Sequence, residues 1–467
     1  MKLYDSMIIG GGAAGLLTAI RAAERGLSVC VIEQMAKIGK KILATGNGRC
    51  NMTNLSVKEQ DYRGDDPQFA YDVLEKFSVK ETLDFFESIG IIWKEENGYV
   101  YPRSEQATSV VSALELKLQS LGVDIFCDQK VVSLQKEGDI FTCETEQKER
   151  FSAYQCVIAT GGKAQPKLGS DGKGYELAKQ FGHSVTVVVP ALTGLHTSHK
   201  GIKQWAGVRA KGGISCLVDG AVVMEEEGEI QFTNYGISGV PTFQISRYAT
   251  KMLQKGRKVE VTINFYREKS FVEFLNLLEK LSDCCTYKNI RELLEGIFSK
   301  KLVPIFLQEA NIKETLHCKE MTKEQRNHLC FIIQNFKISI VGFNSFEQCQ
   351  VCAGGVVTKE ICRDTMESLK IKNLYFVGEV VDIDGTCGGY NLQWAWTSGY
   401  LAGNSVQKYT RSDRIKEQPN SVLLKTGKQR YEAAKPKQFE RKKKQTEKTL
   451  EKNRGKDKRK TARRKKK

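Results

Sequence analysis

Six residues near the start of the chain have the types and the spacing that bind a dinucleotide. They form a G-x-G-x-x-G motif, Gly10-Gly11-Gly12-Ala13-Ala14-Gly15. Glu33 follows 18 positions after Gly15, where a carboxylate can accept hydrogen bonds from ribose hydroxyls. The alternative is an ordinary glycine-rich turn, but an acid at this distance favours dinucleotide binding. An acid instead of a basic residue argues against a 2′-phosphate, so the motif fits FAD or NAD.

A strand and a helix must hold this motif in place. Ser6–Ile9 predict a β-strand before it, Ala13–Glu24 predict a helix after it, and Ser28–Glu33 predict a second strand. In such a βαβ unit the first glycine permits a tight turn. The second lets the backbone approach a diphosphate, and the third lets the helix pack closely. The helix N-terminus adds unpaired N–H groups and a positive dipole end, which favour an anion.

The other end of the chain decides between the two cofactors. Residues 373–379 predict a buried strand that ends in Gly378-Glu379, and a turn with Gly388 and Gly389 leads to a helix near Asn391. In flavoproteins, a carboxylate at the end of such a strand lies near the ribityl and phosphate groups. The N-terminus of the following helix points at the pyrimidine edge of the flavin and stabilises negative charge on the reduced ring. The two ends together predict FAD.

Four long stretches of sequence resemble one bacterial flavoprotein family. They are 40–54 (KKILATGNGRCNMTN), 159–175 (ATGGKAQPKLGSDGKGY), 232–239 (FTNYGISG) and 353–403, which contains GEVVDIDG and GGYNLQWAWTSGYLAG. Over about residues 1–410, the chain is similar to the FAD-dependent oxidoreductases that include the bile-acid-inducible flavoprotein reductase and aminoacetone-oxidase-like flavoproteins. The resemblance does not extend to the tail.

The resemblance implies an α/β fold in which a Rossmann-type FAD/NAD(P)-binding domain is interrupted by a β-barrel-like and helical insertion. The expected boundaries are 1–184 and 356–410 for the two parts of the FAD-binding domain, 185–355 for the insertion and 411–467 for a disordered basic tail. The insertion is expected to be β-rich in 185–265 and 336–355 and helical in 270–335. Residues 66–121 are predicted to be largely helical, because apolar residues recur there at three- and four-residue spacing.

The resemblance also assigns positions to individual residues of the cofactor site. The adenosine diphosphate half is expected to be held by Gly10, Gly12, Gly15 and Glu33, with Thr160 and Gly161 against it. Lys41, Thr45 and Asn47 are expected to shape a loop over the flavin, Glu379 and Asp382 to lie near the ribityl chain, and Arg49, Asn51, Gly389, Asn391 and Leu392 to lie near the isoalloxazine ring. Neighbours in the same motifs complete the predicted set: Ala13, Ala14, Gly46, Gly162, Gly378 and Gly388. This chain departs from the family pattern at three positions, where relatives commonly carry His, Pro and Thr and this chain has Asn234, Val240 and Cys352. These departures weaken what the resemblance implies about the substrate, but not what it implies about FAD binding.

The chemistry expected of such a site is hydride transfer from NAD(P)H, through flavin N5, to an activated C=C of a small organic substrate. The sequence has no second G-x-G-x-x-G, so NAD(P)H is expected to dock transiently. Arg49, Asn51, Asn391 and Tyr235 are the candidate catalytic residues. Two alternatives stay open: a flavin amine oxidase that passes electrons from an aminoacetone-like substrate to O₂, and a flavin-fold RNA-associated protein that acts through its basic tail.

The charge of the chain is concentrated at its C-terminal end. Residues 411–467 hold 24 lysines and arginines against 7 acidic residues, which accounts for the whole formal charge of +17. The rest of the chain is neutral, and this argues against a basic nucleic-acid-binding body. The tail is too poor in apolar residues to fold alone, and nonspecific contact with nucleic acid or an anionic surface is expected there.

The 14 cysteines are scattered along the chain. Cys349 and Cys352 form the single C-x-x-C, and no second pair stands at zinc-ligand spacing, so no metal site is predicted. Cys50 and Cys387 lie in glycine-rich stretches near the predicted cofactor, where small packing residues are favoured over a redox role. The N-terminus does not resemble a signal peptide, and no apolar run reaches about 18 residues. We therefore expect a cytoplasmic protein without a membrane span, and the sequence does not predict its oligomeric state.

Overall fold

The structure is a computed structural model that describes residues 2–409, so the predictions for 411–467 lie outside the described residues. Its strands are β1 (Leu3–Ile9), β2 (Val29–Ile32), β3 (Thr53–Asn54), β4 (Tyr62–Arg63), β5 (Trp93–Glu96), β6 (Tyr99–Pro102), β7 (Asp124–Phe126), β8 (Val131–Glu137), β9 (Ile140–Thr145), β10 (Arg150–Ile158), β11 (Val189–Ala191), β12 (Leu195–Thr197), β13 (Arg209–Val218), β14 (Ala221–Phe232), β15 (Gly236–Ser238), β16 (Val259–Asn264), β17 (Phe336–Phe343), β18 (Val351–Ala353), β19 (Leu374–Phe376) and β20 (Asp384–Gly385). Its helices are α1 (Ala13–Glu24), α2 (Lys40–Ala44), α3 (Pro67–Leu74), α4 (Val79–Ser88), α5 (Ala107–Ser120), α6 (Lys173–Gln180), α7 (Ile202–Trp205), α8 (Val240–Gln254), α9 (Phe271–Cys284), α10 (Ile290–Leu294), α11 (Val303–Glu309), α12 (Lys323–Gln334) and α13 (Tyr390–Ser405). Among residues 2–409, no helix combines the length and the apolar character needed to cross a membrane.

The predicted βαβ unit is present as β1, α1 and β2. The strand β1 lies inside a seven-stranded sheet with the order β7-β2-β1-β10-β9-β8, and β19 pairs with β10. The strands β7, β2, β1, β10 and β19 are parallel. The strand β9 is antiparallel to both of its neighbours, β10 and β8. The central strands are buried almost throughout, which explains their continuous apolar runs. The carboxyl ends of the parallel strands meet at one edge, where open α/β sheets bind ligands.

The insertion contains a closed antiparallel barrel of six strands, in the order β12-β15-β14-β13-β16-β17. Its inward side chains, such as Ile214, Ile230 and Val261, are buried in a core separate from that of the main sheet. Helices α9, α10, α11 and α12 contribute apolar side chains to the same core, for example Phe274 and Phe306. The fold prediction is therefore confirmed: a Rossmann-type domain is interrupted by a β-barrel and helices.

A hairpin interrupts the segment 66–121, which was predicted to be largely helical and contains three helices. Helices α3, α4 and α5 are present, but β5 and β6 lie between α4 and α5 and pair with each other. The turn between them is Asn97-Gly98, with φ angles of 55° and 84°. Asn-Gly is the preferred pair for a two-residue turn in which both central residues need positive φ. The sequence therefore contained a strong hairpin signal that the helical spacing around it obscured.

A long helix, α8, lies inside the segment predicted to be β-rich. Its Val-, Thr- and Ile-containing start resembles a strand, but its buried positions recur every four residues, at Pro241, Ile245 and Ala249. That period is helical and not the period of two that a strand requires. Gly239 precedes the helix, and Pro241 stands in its first turn. Backbone N–H groups in the first turn have no acceptor within the helix, so the missing N–H of proline costs no hydrogen bond there. The helix packs on β11 and β14 and places Val240 beside the cofactor site.

Candidate cofactor site

A cavity of about 750 Å³ lies along the carboxyl edge of the main sheet. It starts where β1, β2, β10 and β19 end, and this volume falls within the range of about 300–1,000 Å³ found for small-molecule and cofactor sites. The lining residues come from 9–14, 32–34, 40–47, 129–131, 159–161, 168–173 and 377–395, with single residues elsewhere. The two ends of the chain therefore meet at one cavity.

The N-terminus of α1 faces this cavity without a cap. Gly12 is the N-cap residue, no side chain caps the helix, and its first turn contains no acidic residue. A Cβ on Gly12 would have no atom within 4 Å, so the backbone is open to a ligand there. A Cβ on Gly10 would lie 2.4 Å from the carbonyl oxygen of Ala159, and one on Gly15 would lie 2.0 Å from that of Gly10. This arrangement of free N–H groups is suited to an anion such as a diphosphate.

Glu33 closes the glycine turn just after β2. One carboxylate oxygen accepts a hydrogen bond from the N–H of Gly11 at 2.7 Å, and the other accepts one from the N–H of Met35 at 2.7 Å. Burial raises the pKa of Glu33, and these backbone N–H groups oppose that rise. Each carboxylate oxygen has a second lone pair, so Glu33 can brace the turn and also accept a ribose hydroxyl.

A second helix N-terminus, that of α13, faces the cavity from the other end of the chain. Its N-cap is Gly389, with a φ of 98°, and it has neither a side-chain cap nor an acidic residue in its first turn. A Cβ on Gly389 would lie 2.4 Å from the carbonyl oxygen of Thr53, so this close approach requires glycine. The side chain of Asn391 fixes the preceding turn, because it accepts from the N–H of Gly385 at 2.8 Å and donates to its carbonyl at 2.9 Å. This helix end can stabilise negative charge on a ligand.

A salt bridge in the cavity wall joins the two ends of the chain. Lys41, in α2, places its Nζ 2.7 Å from Oε2 of Glu379, which follows β19. The other oxygen of Glu379 accepts a hydrogen bond from the backbone N–H of Cys352 at 2.8 Å. Thr160 and Gly161 line the cavity at the end of β10. This part of the wall therefore offers both a cationic donor and an anionic acceptor.

Most of the predicted site residues line this cavity. They are Gly10, Gly12, Ala13, Ala14, Glu33, Lys41, Thr45, Gly46, Asn47, Asn51, Thr160, Gly161, Gly378, Glu379, Gly388, Gly389, Asn391 and Leu392. Five others do not: Gly15, Arg49, Gly162, Asp382 and Tyr235. Arg49 lies over the ring of Tyr101, and Tyr235 lies at the barrel, where its hydroxyl accepts from Asn344 at 3.4 Å. Asp382 is fully buried, burial raises its pKa, and neither carboxylate oxygen has a hydrogen-bond partner among residues 2–409.

Some cavity residues were missed by the sequence analysis. Tyr99 and Tyr101 come from β6, and Lys130 comes from the edge of the sheet. Cys387, which the sequence placed near the cofactor, lines the cavity just before α13. Burial raises the pKa values of Tyr99 and Tyr101 and raises the pKa of Cys387 to about 11, so these three groups are protonated near neutral pH. The Asn-Gly hairpin signal could have located the tyrosines, whereas no sequence pattern singled out Lys130.

The cysteines lie apart from any arrangement that would hold a metal. Cys349 and Cys352 are both buried free thiols. Burial raises the pKa of Cys50 to about 12, which makes it an unreactive thiol. In the part of the chain that the structure describes, no group of three or more His, Cys, Asp or Glu residues is arranged to hold a metal ion.

The chain matches known proteins over almost all of its described length. The HI0933-like protein Rossmann domain family matches residues 4–405. A 3-dehydro-bile acid delta(4,6)-reductase from Clostridium scindens is 43% identical over 401 residues, which cover 85% of this chain and 98% of that one. A ribosomal RNA dihydrouridine synthase from Escherichia coli is 31% identical over 87% of this chain and 98% of its own length. The family resemblance is thus confirmed, and the chain belongs to the HI0933-like Rossmann-domain family, with the fold and the cofactor-sized cavity of a flavin-dependent oxidoreductase.

Proposed function

We propose that this chain is an FAD-dependent reductase that uses NAD(P)H to reduce a C=C bond conjugated to a carbonyl group. The observation that carries the proposal is one cavity with two uncapped helix N-termini, those of α1 and α13. When bound, FAD would supply hydride from its reduced ring. The residues present fit this cofactor. Gly12 leaves its backbone open to a diphosphate, and the carboxylate of Glu33 could accept a hydrogen bond from a ribose hydroxyl.

Each wall of the cavity has a separate task in this proposal. The N-terminus of α1 would hold the diphosphate, and that of α13 would stabilise negative charge at the flavin pyrimidine edge. Lys41 and Glu379 would bind the polar chain between these groups. The insertion contributes Leu192 and Val240, two apolar residues that would pack against the substrate and exclude water. NAD(P)H would dock transiently, as no second dinucleotide motif is present in the sequence.

The direction of the reaction is supported by the Clostridium scindens relative. Its name describes reduction at positions 4 and 6 of a 3-dehydro bile acid. A double bond at position 4 beside a carbonyl at position 3 is a conjugated, electron-poor C=C, which accepts hydride at its β carbon. At 43% identity over 98% of that protein, the same class of acceptor is the first choice for this chain.

The proposal is tested by the flavin absorbance of FAD-loaded protein under anaerobic conditions. NADH, NADPH and aminoacetone are added separately, and we expect one or both nicotinamides to bleach the band near 450 nm. A conjugated enone should then restore it. Bleaching by aminoacetone alone would contradict the proposal and support the amine oxidase alternative. Absence of bleaching by both nicotinamides would also overturn it.

A second candidate function is reduction of uracil in RNA. The 5,6 double bond of uracil is conjugated to the 4-carbonyl, so it is chemically the same kind of acceptor. Two observations favour this candidate: the Escherichia coli and Haemophilus influenzae relatives, 31% and 30% identical, are ribosomal RNA dihydrouridine synthases, and residues 411–467 carry a formal charge of +17. Such a segment would bind the phosphate backbone without reading its sequence.

Turnover of RNA separates the two candidates, and deletion of residues 411–467 tests whether the tail binds the RNA. If RNA is the substrate, the deletion should weaken RNA binding at about 0.15 M salt by at least about 100-fold and abolish turnover of RNA, because backbone neutralisation dominates such affinity. Turnover of a small enone should not change. The matched control keeps the length of the tail and replaces its lysines and arginines with glutamine. RNA turnover that survives both changes would show that the tail is not the binding element.

A further inference from the structure

Two tyrosines of β6 face the cavity from the same side. Tyr99 and Tyr101 are two residues apart in a strand, so their side chains share one face, and both line the cavity. The ring of Tyr99 lies against Gly388, where a Cβ would approach it to 2.4 Å. The ring of Tyr101 lies against Gly46, where a Cβ would approach it to 3.3 Å. Tyr99 therefore stands beside the turn that precedes α13, and Tyr101 stands beside the turn that follows α2.

Arg49 distinguishes the two tyrosines. Its guanidinium carbon lies 4.2 Å from the ring centroid of Tyr101, and Glu96 holds it there through a contact of 3.3 Å. Among residues 2–409, no cation lies over the ring of Tyr99 in this way. A positive charge over a phenol ring stabilises the phenolate that remains after the proton leaves. The charge of Arg49 therefore favours loss of the proton from Tyr101, and the carboxylates of Glu96 and Glu105 partly offset this effect.

The hydroxyl of Tyr101 is available to a ligand. No residue among 2–409 hydrogen-bonds to its Oη, although only 8% of the residue is exposed. Burial raises the pKa of Tyr101, so the phenol is protonated at neutral pH. The charge of Arg49 opposes that rise, so Tyr101 is a stronger acid than burial alone would make it. A group that is protonated at rest and stabilised after donation suits general acid catalysis.

We propose that Tyr101 is the general acid that protonates the α carbon of the substrate, with Arg49 as the positioning residue that stabilises its phenolate. This inference rests on the proposed reduction of a conjugated C=C. In that reaction the π bond breaks, the β carbon gains hydride from the reduced cofactor, and the α carbon gains the proton of the Tyr101 O–H bond. The phenolate then takes a proton from water, so that the net change is addition of H⁻ and H⁺ to the substrate. Neither the motifs nor the catalytic candidates of the sequence analysis include this tyrosine.

The test compares Tyr101→Phe with Tyr99→Phe, because both variants lose one hydroxyl from the same face of the same strand. Protein loaded with FAD is first reduced with NAD(P)H, and its reoxidation by a saturating enone is then followed anaerobically in H₂O and in D₂O. We expect Tyr101→Phe to reoxidise about 100-fold more slowly than the native protein, in the range lost with a general acid. It should also reoxidise at least tenfold more slowly than Tyr99→Phe. Flavin reduction by NAD(P)H and the Kd of the enone for oxidised protein should change by less than about threefold in Tyr101→Phe.

Three results would overturn the inference. If Tyr101→Phe reoxidises as fast as Tyr99→Phe, Tyr101 is not the acid. If its reoxidation is slow only because the enone Kd rises, the hydroxyl binds the substrate and does not protonate it. If the native protein is not reoxidised by any enone, the proposed function itself fails and the inference fails with it. For Arg49, we expect Arg49→Gln to slow reoxidation about tenfold and Arg49→Lys to restore most of the rate, whereas equal rates in both would exclude the electrostatic role.

Discussion

Replacing Gly12 with aspartate will abolish tight FAD binding without weakening the fold. Gly12 is the N-cap of α1, its φ and ψ are −86° and −173°, and a Cβ there would meet no atom within 4 Å. Aspartate adopts this conformation readily and is a preferred N-cap residue, so the free energy of unfolding should stay level or rise by about 0.5 kcal/mol. The same carboxylate would stand where the proposed diphosphate binds.

The expected loss of affinity follows from the charge. Two unit charges about 4 Å apart repel by about 4 kcal/mol at an effective dielectric constant of 20. This repulsion corresponds to a Kd for FAD about 1,000-fold higher, measured by titrating apoprotein with FAD and following flavin fluorescence. Gly12→Asn is the matched control, because it adds the same bulk beside the diphosphate without the charge, and it should bind FAD more tightly than Gly12→Asp. Equal affinity in the Asp and Asn variants would contradict placement of the diphosphate at α1.

Replacing Asp384 with alanine will lower the free energy of unfolding by about 3–5 kcal/mol. Asp384 lies in β20, and both of its carboxylate oxygens accept from Nε of Arg247 in α8, at 2.9 and 2.7 Å. Only 10% of the Arg247 side chain and 3% of the Asp384 side chain are exposed. Removing one partner of a buried pair leaves the other charge buried without compensation, which has this order of effect.

The measurement is urea unfolding of the variant and of a control that loses an exposed pair. Glu229 contacts Arg209 at 2.8 Å, but both side chains are about half exposed or more, so Glu229→Ala should lower the free energy of unfolding by less than about 1 kcal/mol. Similar effects in Asp384→Ala and Glu229→Ala would show that Arg247 finds water or another partner. The Arg247–Asp384 pair would then not be what joins α8 to the turn before α13.

The parts of the site that the sequence predicted are those encoded by local patterns. The glycine motif, the strand before it and Glu33 lie within about 30 residues, and the physical reasons for their spacing are local to one βαβ unit. The hairpin that carries Tyr99 and Tyr101 is also locally encoded, by Asn97-Gly98, but the helical spacing of the residues on either side hides it. The predicted site therefore lacks these two cavity residues.

Other features could not be read from the sequence because they depend on distant residues. Arg247 and Asp384 are 137 positions apart, and nothing in either segment specifies its partner. Asp382 was expected beside the ribityl chain because it follows Glu379 closely, but the backbone turns there and buries its side chain away from the cavity lining. The position of Arg49 behind Tyr101, instead of at the cavity surface, likewise depends on Glu96 from the unpredicted hairpin.

The most direct test of the proposed function measures how much enone the reduced protein converts to saturated ketone. Protein loaded with FAD and reduced anaerobically with one equivalent of NAD(P)H is mixed with a cyclic enone or with the matching alkene that lacks the carbonyl, and both the flavin band and the product are quantified. We predict that the enone restores the flavin band and yields about one saturated ketone per flavin, while the isolated alkene does neither. Reoxidation by O₂ alone, with the enone recovered unchanged, would contradict the assignment of this chain as a reductase of conjugated C=C bonds.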